Sequence, residues 1–366
     1  MTVVSDSHAA RVVRARQRES GQNNRVMVTD AIECAPISVG YYRPDAYLAL
    51  SQDRALHPLA AIIHGHFIPP KRPWPQIHSG LRPLGEEVCA EVLFTNQRPI
   101  YDHESGFQVS SAGEILFASC NLTETDDLPL SRLTEGLYSK LLQLVESRGY
   151  PNLLRVWNLV QGINEQQDGL ERYRQFCIGR HEVLAKHDLF LGECYPSASA
   201  VGSPDSGLQV YCLAAPVPGK TVENPKQISA YRYPTQYGPR SPSFSRALIK
   251  RWDRSSCLFI SGTASITGHE TRHIGRLAAQ TEETLSNLTT LIGVAAQASG
   301  DTFALGPRTS TLKVFVRRAS DYPDVRDLLE QNLGPCDDVL YLEADLCRSE
   351  LLFEIEGVVV SPLLHK

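Results

Sequence analysis

The chain repeats itself once at long range, and this restricts it to architectures built from two copies of one mixed strand-and-helix unit. The first copy runs from the strand-like Gly113-Glu114-Ile115-Leu116-Phe117-Ala118-Ser119-Cys120, through a helical stretch over 134–148, to Leu153-Leu154-Arg155-Val156-Trp157-Asn158-Leu159-Val160. The second keeps that order: Cys257-Leu258-Phe259-Ile260-Ser261-Gly262-Thr263, a helix over 277–298, then Leu312-Lys313-Val314-Phe315-Val316-Arg317. Two long units are too few for a solenoid, so the pattern reads as duplication.

Periodicity gives each unit its elements. Leu277, Thr281, Leu285, Leu288 and Ile292 recur at steps of three and four, which makes one apolar helical face, and Leu133, Leu137, Leu141 and Leu144 do the same in the first copy. Runs rich in Val, Ile, Leu and Phe close the copies as strands over 208–217 and 351–360. Strands with helices on one sheet face predict an α+β fold of two tandem domains. Ala215-Pro216-Val217-Pro218-Gly219 breaks both periods, so the expected boundaries are a polar tail over 1–30, an N-terminal degenerate domain over 31–217 and a C-terminal catalytic domain over 218–366.

Composition excludes several classes of function. With 366 residues, 42% hydrophobic and 21% charged, the chain has the make-up of an ordinary globular protein. No apolar run reaches the roughly 18 to 20 residues of a membrane helix, and the N-terminus lacks the apolar core of a secretory signal, so a cytoplasmic location is expected. A net charge of −5 argues against nonspecific nucleic-acid binding. Nine cysteines without a C-x-x-C pair read as reduced, mostly buried thiols.

Two sets of longer motifs carry a resemblance. Leu258-Phe259-Ile260-Ser261-Gly262, a Gln280-Thr281-x-x-Thr284-Leu285-x-Asn287-Leu288 helix and Leu352-Phe353-Glu354-Ile355-Glu356-Gly357 resemble the RidA/YjgF fold, once per copy. Asn224-Pro225-Lys226-Gln227-Ile228-Ser229-Ala230-Tyr231-Arg232-Tyr233-Pro234, Gln236-Tyr237-Gly238-Pro239-Arg240 and the run from Ser261 to Glu270 resemble the narrower chorismatase family. That resemblance implies a pocket that takes chorismate, releases its enolpyruvyl side chain as pyruvate and leaves a ring product. It implies no cofactor, and it suggests a monomer in which fused copies and an N-terminal segment fill the three positions of a RidA-like trimer.

Enol ether cleavage begins with protonation of the terminal methylene carbon, so a positioned general acid is required. Glu354 lies in the apolar run Leu351-Leu352-Phe353-Glu354-Ile355, where desolvation raises a carboxyl pKa, and the resemblance puts the acid there. A salt-bridged strand carboxylate is the alternative. In the first copy Tyr211 aligns with Glu354, so that copy lacks the acid and serves as a wall. Among chorismatases a cysteine at the spacing of Cys347 accompanies hydroxybenzoate release, which makes Cys347 product-determining rather than nucleophilic; a cysteine plugging a turn is the other reading.

Chorismate carries two carboxylates, which suit the planar fork of arginine. Arg155 and Arg317 project from corresponding strands and are the first choices, ahead of Arg180, Arg232 and Arg240, although arginine is most often a surface residue. Tyr231 is a candidate donor or a packed aromatic. Gly262, Thr263 and Ala264 complete the implied substrate-binding set.

His269-Glu270-Thr271-Arg272-His273 matches the H-E-x-x-H zinc pattern, which works only on a helix; here it follows a strand and the breakers Thr267 and Gly268, so no metal is expected. The rival enzyme is a RidA-type imine deaminase, disfavoured because Asp345 stands where that family holds a carboxylate with arginine. A noncatalytic ligand-binding protein is the third reading. For the product, 3-hydroxybenzoate is the first choice, with 4-hydroxybenzoate, a mixture, or 3,4-dihydroxycyclohexa-1,5-dienoate as alternatives.

Overall fold

A computed structural model describes residues 35–362 except 51–55, 86, 125–127, 188–193, 206, 307–308 and 335–337. The tail expected over 1–30 lies outside the described residues. No described helix is long and apolar enough to cross a membrane.

The duplication is visible as two sheets with the same strand order. In the first, Ile100–Glu104, Phe107–Ala112 and Ile115–Leu122 form a meander, followed by the closing strand Leu208–Ala215, then Asn152–Gln161, and at the edge the parallel strand Ser197–Ser203. The second repeats this with Lys220–Val222, Ala247–Arg251, Ser255–Thr263, Phe353–Pro362, Ser310–Val316 and the parallel Val339–Glu343. Each sheet carries two helices, Leu130–Ser147 with Arg172–Leu184 and Leu277–Ser299 with Tyr322–Leu333, packed over its outer face. The architecture is α+β. The helix Leu277–Ser299 stops where Gly300 takes φ +76°, a left-handed turn that glycine adopts without strain.

The span 31–217 contains a second sheet that its apolar pattern does not announce. Ser38–Tyr42, Ala90–Thr95, His57–Ile63 and Gln76–His78 lie side by side, with two antiparallel pairings and then a parallel one. This is the order of four adjacent strands in each larger sheet, Ile115–Leu122 to the edge strand Ser197–Ser203 in the first and Ser255–Thr263 to Val339–Glu343 in the second, and the chain visits them in the same sequence. A five-residue helix, Pro44–Leu48, stands in place of the long first helix. The molecule is therefore built from three copies, one abridged.

The inner faces of the three sheets meet in one core, where Leu59, Ile62 and Leu93 pack with Phe117, Leu154 and Trp157 and with Phe259, Phe315 and Leu342. Four charges are buried at the centre. Lys313 Nζ lies 2.6 Å from Glu91 and 3.1 Å from Glu356, and Arg155 lies 2.7 Å from Glu356, with every member at most 5% exposed. Trp157 Nε1 donates at 2.8 Å to Glu356 Oε1, the oxygen that also faces Lys313, while Arg155 holds Oε2. Burial works against the Glu356 charge, but Lys313 and Arg155 outweigh it and hold that carboxyl below its ordinary value.

Removing one partner from such a cluster leaves an uncompensated buried charge. Replacing Lys313 with Met should cost about 3 to 5 kcal/mol, read as a lower midpoint in urea unfolding; an unchanged midpoint would show that the cluster does not hold the sheets together.

Candidate active site

The site begins with an irregularity in strand pairing. Ser255–Thr263 runs against Phe353–Pro362 in regular register as far as Ile260 opposite Gly357, and then slips so that Thr263 faces Ile355. The slip bulges Ser261 and Gly262 out of the ladder. A Cβ at Gly262 would sit 2.0 Å from Glu354 Oε1, so glycine is the residue that lets the Glu354 carboxyl lie against the bulge. On the other side the bulge binds the edge strand of the preceding copy: Ala198 N–H donates to Ser261 Oγ at 2.8 Å and Gly262 N–H to Ser199 Oγ at 2.9 Å.

Between the two copies lies a pocket of 420 Å³. One wall comes from the first large copy, with Tyr173, Cys177 and Arg180 on helix Arg172–Leu184 and Ala198 to Ala200 on the edge strand. The facing wall comes from the second, with Gly262, Ala264, Cys347 and Glu354, and the segment over 233–246 brings Tyr233, Tyr237 and Arg246.

The electrostatics of the pocket divide by wall. Burial pushes the Glu354 carboxyl from its ordinary 4.5 up to about 8; the Glu356 charge, two residues away on the same strand face, adds to this, and Arg155, Arg246 and Arg317 oppose it. At neutral pH Glu354 therefore holds its proton. Burial also pushes the Cys347 thiol up to about 12, with the Glu354 charge contributing, so this thiol stays protonated and does not serve as a nucleophile. Arg180 is 3% exposed, lies 5.3 Å from the Tyr138 ring, and has its Nε and Nη2 buried without a partner among the described residues. Arg246 is 4% exposed between the Phe244 and Tyr233 rings. Its Nη2 donates to Ile228 O and Tyr233 Oη, while its Nε has no partner among the described residues.

The structure brings together Glu354, Cys347, Gly262, Ala264 and Arg180, and turns Arg155, Arg317, Tyr231, Thr263 and Arg240 elsewhere. Arg155 does not line this pocket but a separate, smaller cavity: its Nη2 is bound to Glu356 and Ser199 Oγ and its guanidinium lies against the Trp157 ring, while its buried Nη1 has no partner among the described residues. All five N–H donors of Arg317 are occupied within the protein. Tyr231 packs against Tyr195, with ring centroids 4.9 Å apart and planes tilted by 30°, and does not line the pocket. Thr263 donates to the Ser261 carbonyl, two residues back in its own strand. Arg240 pairs with Glu182 at the surface. The residues of the zinc-like motif do not share a helix: Glu270–Thr271 pairs with Ile266–Thr267 as a short hairpin, and His269 Nδ1 lies 3.0 Å from Tyr237 Oη.

Arg246 was missed because Ser243-Phe244-Ser245-Arg246 carries no periodic signal, and Arg180 ranked behind the strand arginines. No local signal singled out Arg180, because its helix buries Arg172, Gln175 and Arg180 together in place of an apolar face. A buried arginine with free donors in the wall of a pocket of this size marks an anion site.

Fold and site define an α+β protein of fused copies, with a neutral carboxylic acid on one wall of an inter-copy pocket and unspent arginine donors lining the rest. A family model described as "Chorismatase FkbO/Hyg5-like, N-terminal" matches residues 91–214. A "3-hydroxybenzoate synthase" of Streptomyces hygroscopicus is 35% identical over 295 residues, covering 78% of this chain and 86% of that one. A "Chorismatase" of Streptomyces rapamycinicus is 40% identical over 233 residues, covering 62% and 69%. A chorismatase crystal structure superposes with a TM-score of 0.77 at 31% identity, covering 88% of this chain and 98% of that one. The chain belongs to the chorismatase family.

The buried acid has a thermodynamic signature. Unfolded, Glu354 ionises near 4.5; folded, near 8. A carboxyl with a raised folded pKa costs stability progressively as pH climbs through that window, and glutamine has no such cost. Glu354→Gln should therefore gain melting temperature relative to wild type at pH 8 and lose that gain at pH 4.5; a pH-independent difference would mean that the carboxyl is not held neutral.

Proposed function

We propose that the chain is a chorismatase that binds chorismate in the 420 Å³ pocket and splits it into pyruvate and 3-hydroxybenzoate. The observation that carries this reading is a protonated, buried Glu354 carboxyl facing the same space as the unspent donors of Arg180 and Arg246. A cation-lined pocket suits a dianion, and a neutral acid beside it suits a substrate that must be protonated at carbon.

The chemistry follows from these groups. Arg180 and Arg246 take the two carboxylates, which fixes the enol ether in place. Glu354 delivers its proton to the terminal methylene carbon and becomes a carboxylate, while the ether carbon becomes an oxocarbenium ion. The new Glu354 charge lies near that cation and near the arginines, so charge separation is short. In place of water, the ring's own hydroxyl attacks the neighbouring ring carbon as that carbon's bond to the ether oxygen breaks; pyruvate leaves, and the hydroxyl proton returns to Glu354. The epoxide left on the ring then opens to hydroxybenzoate as a ring proton moves to oxygen. Chorismate thus yields hydroxybenzoate and pyruvate with no net water, whereas the diene-diol route consumes one water. Cys347, neutral and compact, fills space that a water would otherwise occupy next to the reacting carbon. We read the working unit as a monomer, because the three copies already cover one another's inner faces; light scattering at twice the chain mass would correct this.

Chromatography with mass detection after incubation with chorismate should show equal amounts of pyruvate and 3-hydroxybenzoate. A 4-hydroxybenzoate product or a diene-diol would keep the acid step and replace the assigned fate of the ring, and intact chorismate would overturn the reading. Turnover should fall about tenfold per pH unit above about pH 8 as Glu354 ionises, and Glu354→Gln should abolish it. Arg180→Ala should raise KM by about 10- to 100-fold, as expected for loss of a charged hydrogen bond; an unchanged KM would remove Arg180 from the carboxylate site.

A further inference from the structure

The segment that carries Cys347 is irregular, and one side chain from outside it takes up most of its backbone. Arg317 Nε donates to Leu351 O at 2.6 Å, and Nη2 donates to the carbonyls on either side of Cys347, Leu346 O at 3.3 Å and Arg348 O at 2.8 Å. Its Nη1 bonds Asp345 Oδ1 at 2.5 Å and Asn164 Oδ1 at 3.1 Å. Asn164, from the preceding copy, returns a bond from Nδ2 to Leu346 O at 3.0 Å. The same copy also holds the segment directly, because Gly202 N–H donates to Asp345 O at 2.7 Å, and a Cβ on Gly202 would lie 2.7 Å from Asp345 Cβ.

Five donors thus meet five acceptors, and the guanidinium has none left for a ligand. An arginine spent in this way acts on the pocket only through what it holds. We propose that Arg317, bridged by Asn164 to the neighbouring copy, is the positioning residue that seats Cys347 against the bound ring and so sets the division between ring-hydroxyl attack and attack by water. This rests on the chorismatase reading above. The geometry needs a planar fork: lysine offers three donors from one nitrogen and cannot span carbonyls at Leu346, Arg348 and Leu351 together. With the clamp released, the Cys347 thiol shifts and its neighbouring carbonyls become free to hold a water beside the oxocarbenium carbon. That water gives a proton to the Glu354 carboxylate as it adds to the carbon; Glu354 passes the proton to the ring oxygen as the hemiketal's bond to the ring oxygen breaks, the hemiketal hydroxyl proton returns to Glu354, and pyruvate and the diene-diol leave.

The readout is the molar ratio of hydroxybenzoate to diene-diol per pyruvate released, which does not depend on how fast the enzyme turns over. Displacements on the order of 1 Å change rates up to about 100-fold, and Arg317→Ala and Arg317→Lys should lower this ratio by about tenfold. Asn164→Ala, the milder change and the one to use if Arg317 variants fail to fold, should lower it in the same direction. In a Cys347→Ala background, where the positioned group is gone, Arg317→Lys and Asn164→Ala should produce no further shift. An unchanged ratio in the single variants, or an equal shift with and without the thiol, overturns the proposal. Wild-type protein that leaves chorismate intact overturns the functional reading and this inference with it, whereas turnover with an unmoved ratio overturns this inference alone.

Discussion

Everything in this molecule is arranged around the buried charges of Glu91, Arg155, Lys313 and Glu356, to which all three copies contribute. Two cations and two anions balance, but each is costly without the others. Three sheets with apolar inner faces can slide over one another at little cost; four charges that must meet at one point cannot. The cluster therefore fixes how the copies sit, and with that the width of the cleft between the second and third. It also reaches the acid. Glu356 is kept charged by Lys313 and Arg155, and its charge, on the same strand face as Glu354, adds to the effect of burial in keeping that neighbour protonated. The group that secures the core also tunes the pocket.

The pocket draws its groups from two copies with different roles. Cations come from the helix Arg172–Leu184 and from the segment before Ala247–Arg251; the acid comes from the closing strand of the last copy. The bulge at Ser261 and Gly262 joins them, because the same backbone that makes room for the Glu354 carboxyl accepts the edge strand carrying Ser199. Acid and cations are thus registered by hydrogen bonds from backbone N–H groups to short, buried serine hydroxyls rather than by long, flexible side chains.

The repeat and the acid strand were legible because both are written in local pattern: apolar runs, helical spacing, and one carboxylate among Leu, Phe and Ile. What was not legible depends on tertiary partners. Arg155 and Arg317 are inward-facing strand arginines by sequence, and nothing local tells a ligand from a protein partner; Glu356 lies 201 residues from Arg155. The edge strand Ser197–Ser203 reads Ser-Ala-Ser-Ala-Val-Gly-Ser, too small and polar to give an apolar signal, since it packs by backbone and hydroxyl. Helix Arg172–Leu184 hides in the same way because it buries Arg172, Gln175 and Arg180, reversing the usual polarity of a helix face. The abridged first copy lacks the long helices that reveal the other two.

Three copies could in principle support three equivalent pockets, and comparison of strand registers shows how one of the others was closed. Glu354 pairs with Phe315 in the last copy, and Tyr211 occupies the matching place opposite Trp157 in the copy before it. Tyr211 stacks on Trp157 at 4.9 Å, so the position that holds an acid in one interface holds packed rings in another. What remains there is a small buried cavity bordered by His64, Ser79 and Tyr211. His64 Nδ1 lies 2.8 Å from Ser79 Oγ, and burial, reinforced by the Lys313 charge, pushes the imidazole down to about 3 and keeps it neutral. In an assembly of identical subunits every interface must bear the same residues. Fusion removes that constraint, so one interface can keep a costly neutral acid and unpaired arginines while another is filled to secure the core on which the first depends.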